Sequence, residues 1–166
     1  MRTQSASWKA ASLLAAATLL LTVRPALAAG PSGPVSATGS GHFVRNGALR
    51  TFEFSARTSK DGAVTGMANL QSRSAGVFEH IAIDCLRVVD NVAYMSGVVI
   101  NSKPSDIEGA QARFVVVDNG EGKEDSDVIS LVETYGPGSP VNGLNAEDFP
   151  GGAFTLGGGN VQVRAG

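Results

Sequence analysis

The sequence predicts an all-β domain, a single antiparallel β-barrel or β-sandwich of about 7–9 strands, preceded by a signal peptide. Three observations carry this. Runs rich in β-branched and aromatic residues are separated by turn residues at roughly ten-residue spacing. No stretch keeps a 3.6-residue apolar period over three turns. The 21 glycines are spread through the chain, which disfavours helices.

The N-terminus has the three parts of a secretory signal. Arg2 and Lys9 are the basic region, Ala10 to Val23 is an uncharged run rich in Ala and Leu, and Ala26-Leu27-Ala28 is a small-x-small cleavage triplet. The apolar run is short for a membrane span, which takes about 20 residues, and Arg24 and Pro25 interrupt it. The expected organisation is therefore a signal peptide over 1–28, a flexible lead-in over 29–36 and an all-β domain over 37–166. The destination is the periplasm or the extracellular medium. Without an Arg-Arg pair the general secretion route is expected, and no Cys follows the cleavage point to take a lipid. Losing Arg2, Lys9 and Arg24 moves the formal charge from −2 to −5. A mildly acidic chain without a Lys/Arg cluster is not expected to bind nucleic acid or anionic lipid. Cys85 is the only cysteine, so no internal disulfide is expected.

Within the domain the turns set the register. Asn46-Gly47, the strongest two-residue hairpin signal, pairs Val44 with Leu49, His42 with Thr51, Gly41 with Phe52 and Gly39 with Phe54. Glycines then face phenylalanines on one side, and His42, Thr51, Ser40 and Glu53 share a solvated side. Lys60-Asp61-Gly62 reads as a three-residue loop with Gly62 left-handed, pairing Phe54 with Ala68, Phe52 with Leu70, Ala56 with Gly66 and Glu53 with Asn69. A two-residue loop would scramble the faces. Asp90-Asn91 pairs Val89 with Val92, Arg87 with Tyr94, Cys85 with Ser96, Ile83 with Val98 and Ile81 with Ile100. One side of that hairpin is apolar and includes Cys85. The other carries Leu86, Val88, Met95 and Val99, so the hairpin is expected to be covered on both faces or to line a cavity. Further strands are expected at Ala110 to Asp118, Val128 to Tyr135 and Asn160 to Arg164, with a long surface excursion from Gly136 to Gly152.

Several of these segments resemble the post-COAP domain of exported bacterial proteins. The shared features are Gly39 and Gly41, T-F-E-F-S-A (Thr51 to Ala56) and D-G-x-x-x-G (Asp61 to Gly66). They continue with I-D-C-L-R-V (Ile83 to Val88), N-V-A-Y-M-S-G (Asn91 to Gly97), the acidic stretch Asp118 to Asp127 and G-G-N-V-Q-V-R (Gly158 to Arg164). The resemblance implies a compact exported β-domain and supplies no activity. Lys123-Glu124 departs from it where a Pro-Gly-type turn is expected.

Asp118 to Asp127 holds six acidic or amide side chains in ten residues. Calcium takes six to eight oxygens from a chain able to curl around it, and Gly120 and Gly122 supply bends. Asp118, Glu121, Asp125 and Asp127 are the candidate ligands, although the spacing is not that of the usual calcium loop. The plain alternative is a solvated strand connection. His80 and Cys85 are five apart on one strand and should project from opposite faces unless a bulge intervenes. Cys85 is expected in the core. Serine nucleophile motifs, a phosphate loop and a three-histidine set are missing from the sequence. The leading reading is a non-catalytic binding or structural module. The alternatives are a carrier with an apolar cavity lined by Leu86, Val88, Met95 and Val99, a calcium-stabilised domain, and a carboxylate-based hydrolase with two converging acids.

Overall fold

A computed structural model describes residues 34–121, 126–136 and 151–166. The expected signal peptide, most of the lead-in, Asp125, and the greater part of the 136–152 excursion lie outside the described residues. Ten strands form one antiparallel sheet: β1 Ser36–Arg45, β2 Ala48–Thr58, β3 Val64–Ser72, β4 Val77–Val89, β5 Val92–Lys103, β6 Gln111–Val117, β7 Val128–Ser130, β8 Glu133–Tyr135, β9 Ala153–Thr155 and β10 Gly158–Arg164. The order is β10-β1-β2-β3-β4-β5-β6-β7-β9, with β8 also on β6. The sheet curls into a half-barrel. Its two ends approach where the chain passes from β9 to β10: the Leu156 amide donates to the Asp127 carbonyl and the Gly157 amide to the His42 carbonyl, both at 2.9 Å.

The first two hairpins follow the sequence. Asn46 and Gly47 take φ of 50° and 76°, the pair of left-handed residues that matches strand twist, and all four expected pairings form. Gly62 is left-handed at 84°, and Phe54 faces Ala68 while Glu53 faces Asn69. The glycines opposite phenylalanines have a steric reason. A Cβ on Gly39 would lie 2.8 Å from Cε1 of Phe54, and one on Gly41 would lie 2.5 Å from the Gly158 carbonyl oxygen. The rings therefore occupy the space that side chains on β1 would have filled.

The third hairpin corrects the expectation. Near the turn the pairing is as read, from Val89–Val92 to Cys85–Ser96. Beyond it, Asp84 bulges on β4, and Ile83 faces Gly97 rather than Val98. Ile100 bulges on β5, and Ile81 faces Val99 rather than Ile100. One extra residue exchanges the faces. Ile81 and Ile83 thereby join Leu86, Val88, Met95 and Val99 in one core, while Cys85 and Ile100 are turned outward and exposed. The apolarity on both sides of the hairpin came from an unbroken register that the bulges interrupt. They also place His80 and Cys85 on the same outer face, separated along the strand.

The remaining differences are smaller. Val128 to Tyr135 breaks at Leu131-Val132 into β7 and β8, which pair with opposite ends of β6. That break and the added strand β9 take the count beyond the expected range. Strand β1 begins at Ser36, and the preceding Val35 is already buried. Inside, ring contacts run Phe154–Phe43–Phe52–Phe54–Phe114, with centroids 5.1 to 6.5 Å apart. Each fully buried ring contributes about 1.5–3 kcal/mol by burial alone. Phe78 is not among them. It lies half-buried on the outer face against His80, 5.3 Å between centroids.

Candidate mouth cleft and the carboxylate seam

Two groups of polar side chains in this fold are withdrawn from water, and they are handled in opposite ways. The first is the seam between β10 and the β6–β7 end. In β10 the amides of Val161 and Val163 point away from β1. Oδ2 of Asp127 accepts from Val161 at 2.6 Å and Oδ2 of Asp118 accepts from Val163 at 2.8 Å. The other oxygens are used locally: Asp127 Oδ1 accepts from the Asn119 amide at 2.9 Å and Asp118 Oδ1 from the Gly120 amide at 3.0 Å. Asp127 is 5% exposed. A buried carboxylate with two N–H donors is well compensated.

Two of the four candidate calcium ligands are therefore committed to backbone amides that would otherwise be orphaned at a strand edge. Glu121 is exposed and meets Asn160 Nδ2 at 3.5 Å. Asp125 lies outside the described residues. Among the described residues no three His, Cys, Asp or Glu side chains gather as a metal site would require. The sequence signal was a cluster of acids. Their partners are Val161 and Val163, too far along the chain for local spacing to reveal.

The second group sits at the mouth of the half-barrel, at the end carrying the Asn46-Gly47 hairpin and the Arg73–Gly76 turn. A cleft of about 190 Å³ is lined there by Phe43, Arg50, Leu70, Ser72, Glu79 and Val132 among others. Arg50 on β2, Ser72 on β3 and Glu79 on β4 all lie in phase with inward-facing residues. Arg50 alternates with Phe52, Ser72 with Leu70, and Glu79 with Ile81 and Ile83. Nε of Arg50, Oγ of Ser72 and Oε2 of Glu79 are each buried with no hydrogen-bond partner in the protein. All three belong to this one cleft. Burial raises the Glu79 pKa above its ordinary value of 4.5, and the Arg50 charge offsets only part of the rise.

Leaving a buried polar atom unpaired costs roughly 1–3 kcal/mol, so such atoms are rare in folded proteins. Three in one cleft, of three different chemical types, form a set of unmatched donors and acceptors with apolar walls. Arg45, Thr51 and Gln71 add further polar groups around it.

Other hollows are less suited to binding. On the outer face a hollow of about 640 Å³ is lined by Ser40, Glu53, Asn69, His80 and Asn101, one row across β1 to β5. There Asn69 already donates to Glu53. Leu86, Val88, Met95 and Val99, the residues expected around a carrier cavity, pack into the continuous core and line neither hollow. The pairing of acids that a carboxylate hydrolase needs is not found in the mouth cleft, where Glu79 is the one carboxylate of the lining. Arg113, Glu133 and Tyr135 form a saturated surface group, with two guanidinium nitrogens and the phenol all donating to Oε2 of Glu133. The Tyr135 hydrogen bond, and then that of Arg113, lower the pKa of Glu133.

No protein-family model, curated protein or solved structure matches this chain.

Proposed function

We propose that this chain is an exported, non-catalytic binding domain whose binding site is the mouth cleft. The single observation behind this reading is the convergence of Arg50 Nε, Ser72 Oγ and Glu79 Oε2, buried and unpaired, in one hollow with apolar walls. A ligand that pairs with them recovers their desolvation cost as affinity. Export is supported by the basic start, the apolar run Ala10 to Val23 and the Ala26-Leu27-Ala28 triplet. The motif resemblance to post-COAP domains implies export and supplies no activity.

The test is a thermal-shift screen of small polar and amphipathic compounds against the protein as recovered after export, run beside Arg50→Leu. A ligand held only by the folded state raises Tm by mass action. At least one compound should raise Tm in the wild type and lose that effect in the variant. Failure of every compound, or hits insensitive to Arg50→Leu, would contradict the assignment. Mass spectrometry of the recovered protein should give a chain beginning at Ala29.

A further inference from the structure

Resting on the reading of the mouth cleft as a binding site, we propose its ligand class: a single zwitterionic amino acid with an apolar side chain, its carboxylate on Arg50 and its ammonium group on Glu79.

The chemistry of the lining points this way. Arg50 offers a buried cationic donor and Glu79 a buried acceptor, on adjacent-but-one strands of the same inner face. They do not pair with each other. The one ion pair among the described residues is Arg113–Glu133. The Arg50 charge acts on Glu79 through space without a direct bond, so each group keeps an open position for an opposite partner from outside. A neutral polyol would leave both charges without a directly bonded partner. A simple anion would satisfy Arg50 and repel Glu79, and a simple amine would do the reverse. A molecule with both charges, a few bonds apart, matches the pair. Arg45 lines the same cleft and strengthens the cationic side. Ser72 Oγ, which can both donate and accept, is free to bond either ligand group.

Size and walls narrow the class further. The cleft, of about 190 Å³, has room for a small molecule the size of one amino acid. Phe43, Leu70, Val77, Leu131 and Val132 provide an apolar surface for the side chain.

Isothermal titration of the exported protein tests this. The probes are L-valine, L-leucine and L-phenylalanine, each beside the acid that lacks its amino group and the amine that lacks its carboxyl group, with glucose as a neutral polyol. At least one amino acid should bind about tenfold or more tightly than either of its halves. Glu79→Gln should weaken that amino acid and, with the repelling charge gone, tighten its deaminated acid, so that the two bind alike. Arg50→Gln should weaken both.

An acid that binds as tightly as its amino acid overturns the ligand class but leaves the cleft as a site, provided Arg50→Gln abolishes the binding. Glucose binding that is lost with Arg50→Gln does the same. Absence of binding by all three amino acids overturns the ligand class, and the broader screen with Arg50→Leu then decides the cleft separately. Both variants delete a buried unpaired charge, so they are expected to fold, which circular dichroism melting checks.

Discussion

The seam and the mouth hold the same kinds of buried polar atom and treat them differently. At the seam, each oxygen of Asp118 and Asp127 receives a backbone N–H. At the mouth, Arg50 Nε, Ser72 Oγ and Glu79 Oε2 have no hydrogen-bond partner in the protein. A buried polar group is neutral or favourable when paired and costly when not. The seam carboxylates are therefore part of what holds the half-barrel's ends together. The mouth groups are a cost that the Phe43-to-Phe114 core carries, and a cost of that kind is kept where a ligand can remove it.

The largest expected effect is at the seam. Asp127→Ala deletes two charge-assisted bonds and orphans the Val161 amide, and should destabilise by about 3–5 kcal/mol in urea unfolding. Next comes Gly41→Ala, where a new Cβ meets the Gly158 carbonyl on the neighbouring strand. A cost of about 1–3 kcal/mol is expected, read as a lower urea midpoint at unchanged slope.

At the mouth the sign reverses. Ser72→Ala removes an unpaired buried hydroxyl and should be neutral or stabilising by about 1 kcal/mol. Glu79→Gln should stabilise in a pH-dependent way. A carboxyl whose folded pKa is raised costs nothing while protonated in both states; the cost appears as pH rises past its ordinary value and is complete above the raised one. The gain from Gln is therefore absent below the ordinary value of 4.5 and grows as pH rises through the raised folded pKa. Paired melts at acidic and neutral pH check this. The smallest effect is expected from calcium. With Asp118 and Asp127 already committed, millimolar calcium against a chelator should leave Tm unchanged.

The alternation and the turn chemistry made the first two hairpins legible to the residue, because a wrong register would have put Glu53 among phenylalanines. They could not show the bulges at Asp84 and Ile100. Both faces of that stretch carry apolar residues, so a one-residue slip leaves the pattern plausible. The seam was visible only as acidity. A carboxylate that caps a strand edge and one that binds calcium look alike until the distant amides are known. The mouth left a sharper signal in the sequence. Given the register pairing Phe52 with Leu70, Arg50 and Ser72 fall in phase with them on the inner face. Glu79 likewise falls in phase with Ile81 and Ile83. Polar residues on an otherwise apolar face were the sequence trace of the cleft.

The most direct test sets two combined variants side by side in equilibrium urea unfolding. Arg50→Leu with Ser72→Ala and Glu79→Leu clears the mouth of unpaired groups, and Asp118→Asn with Asp127→Asn weakens the seam. The mouth variant should be at least as stable as the wild type while the seam variant loses several kcal/mol, on the order of 1.5–3 for each weakened carboxylate bond. A mouth variant as destabilised as the seam variant would show that Arg50, Ser72 and Glu79 serve the fold, and would contradict their assignment to a ligand.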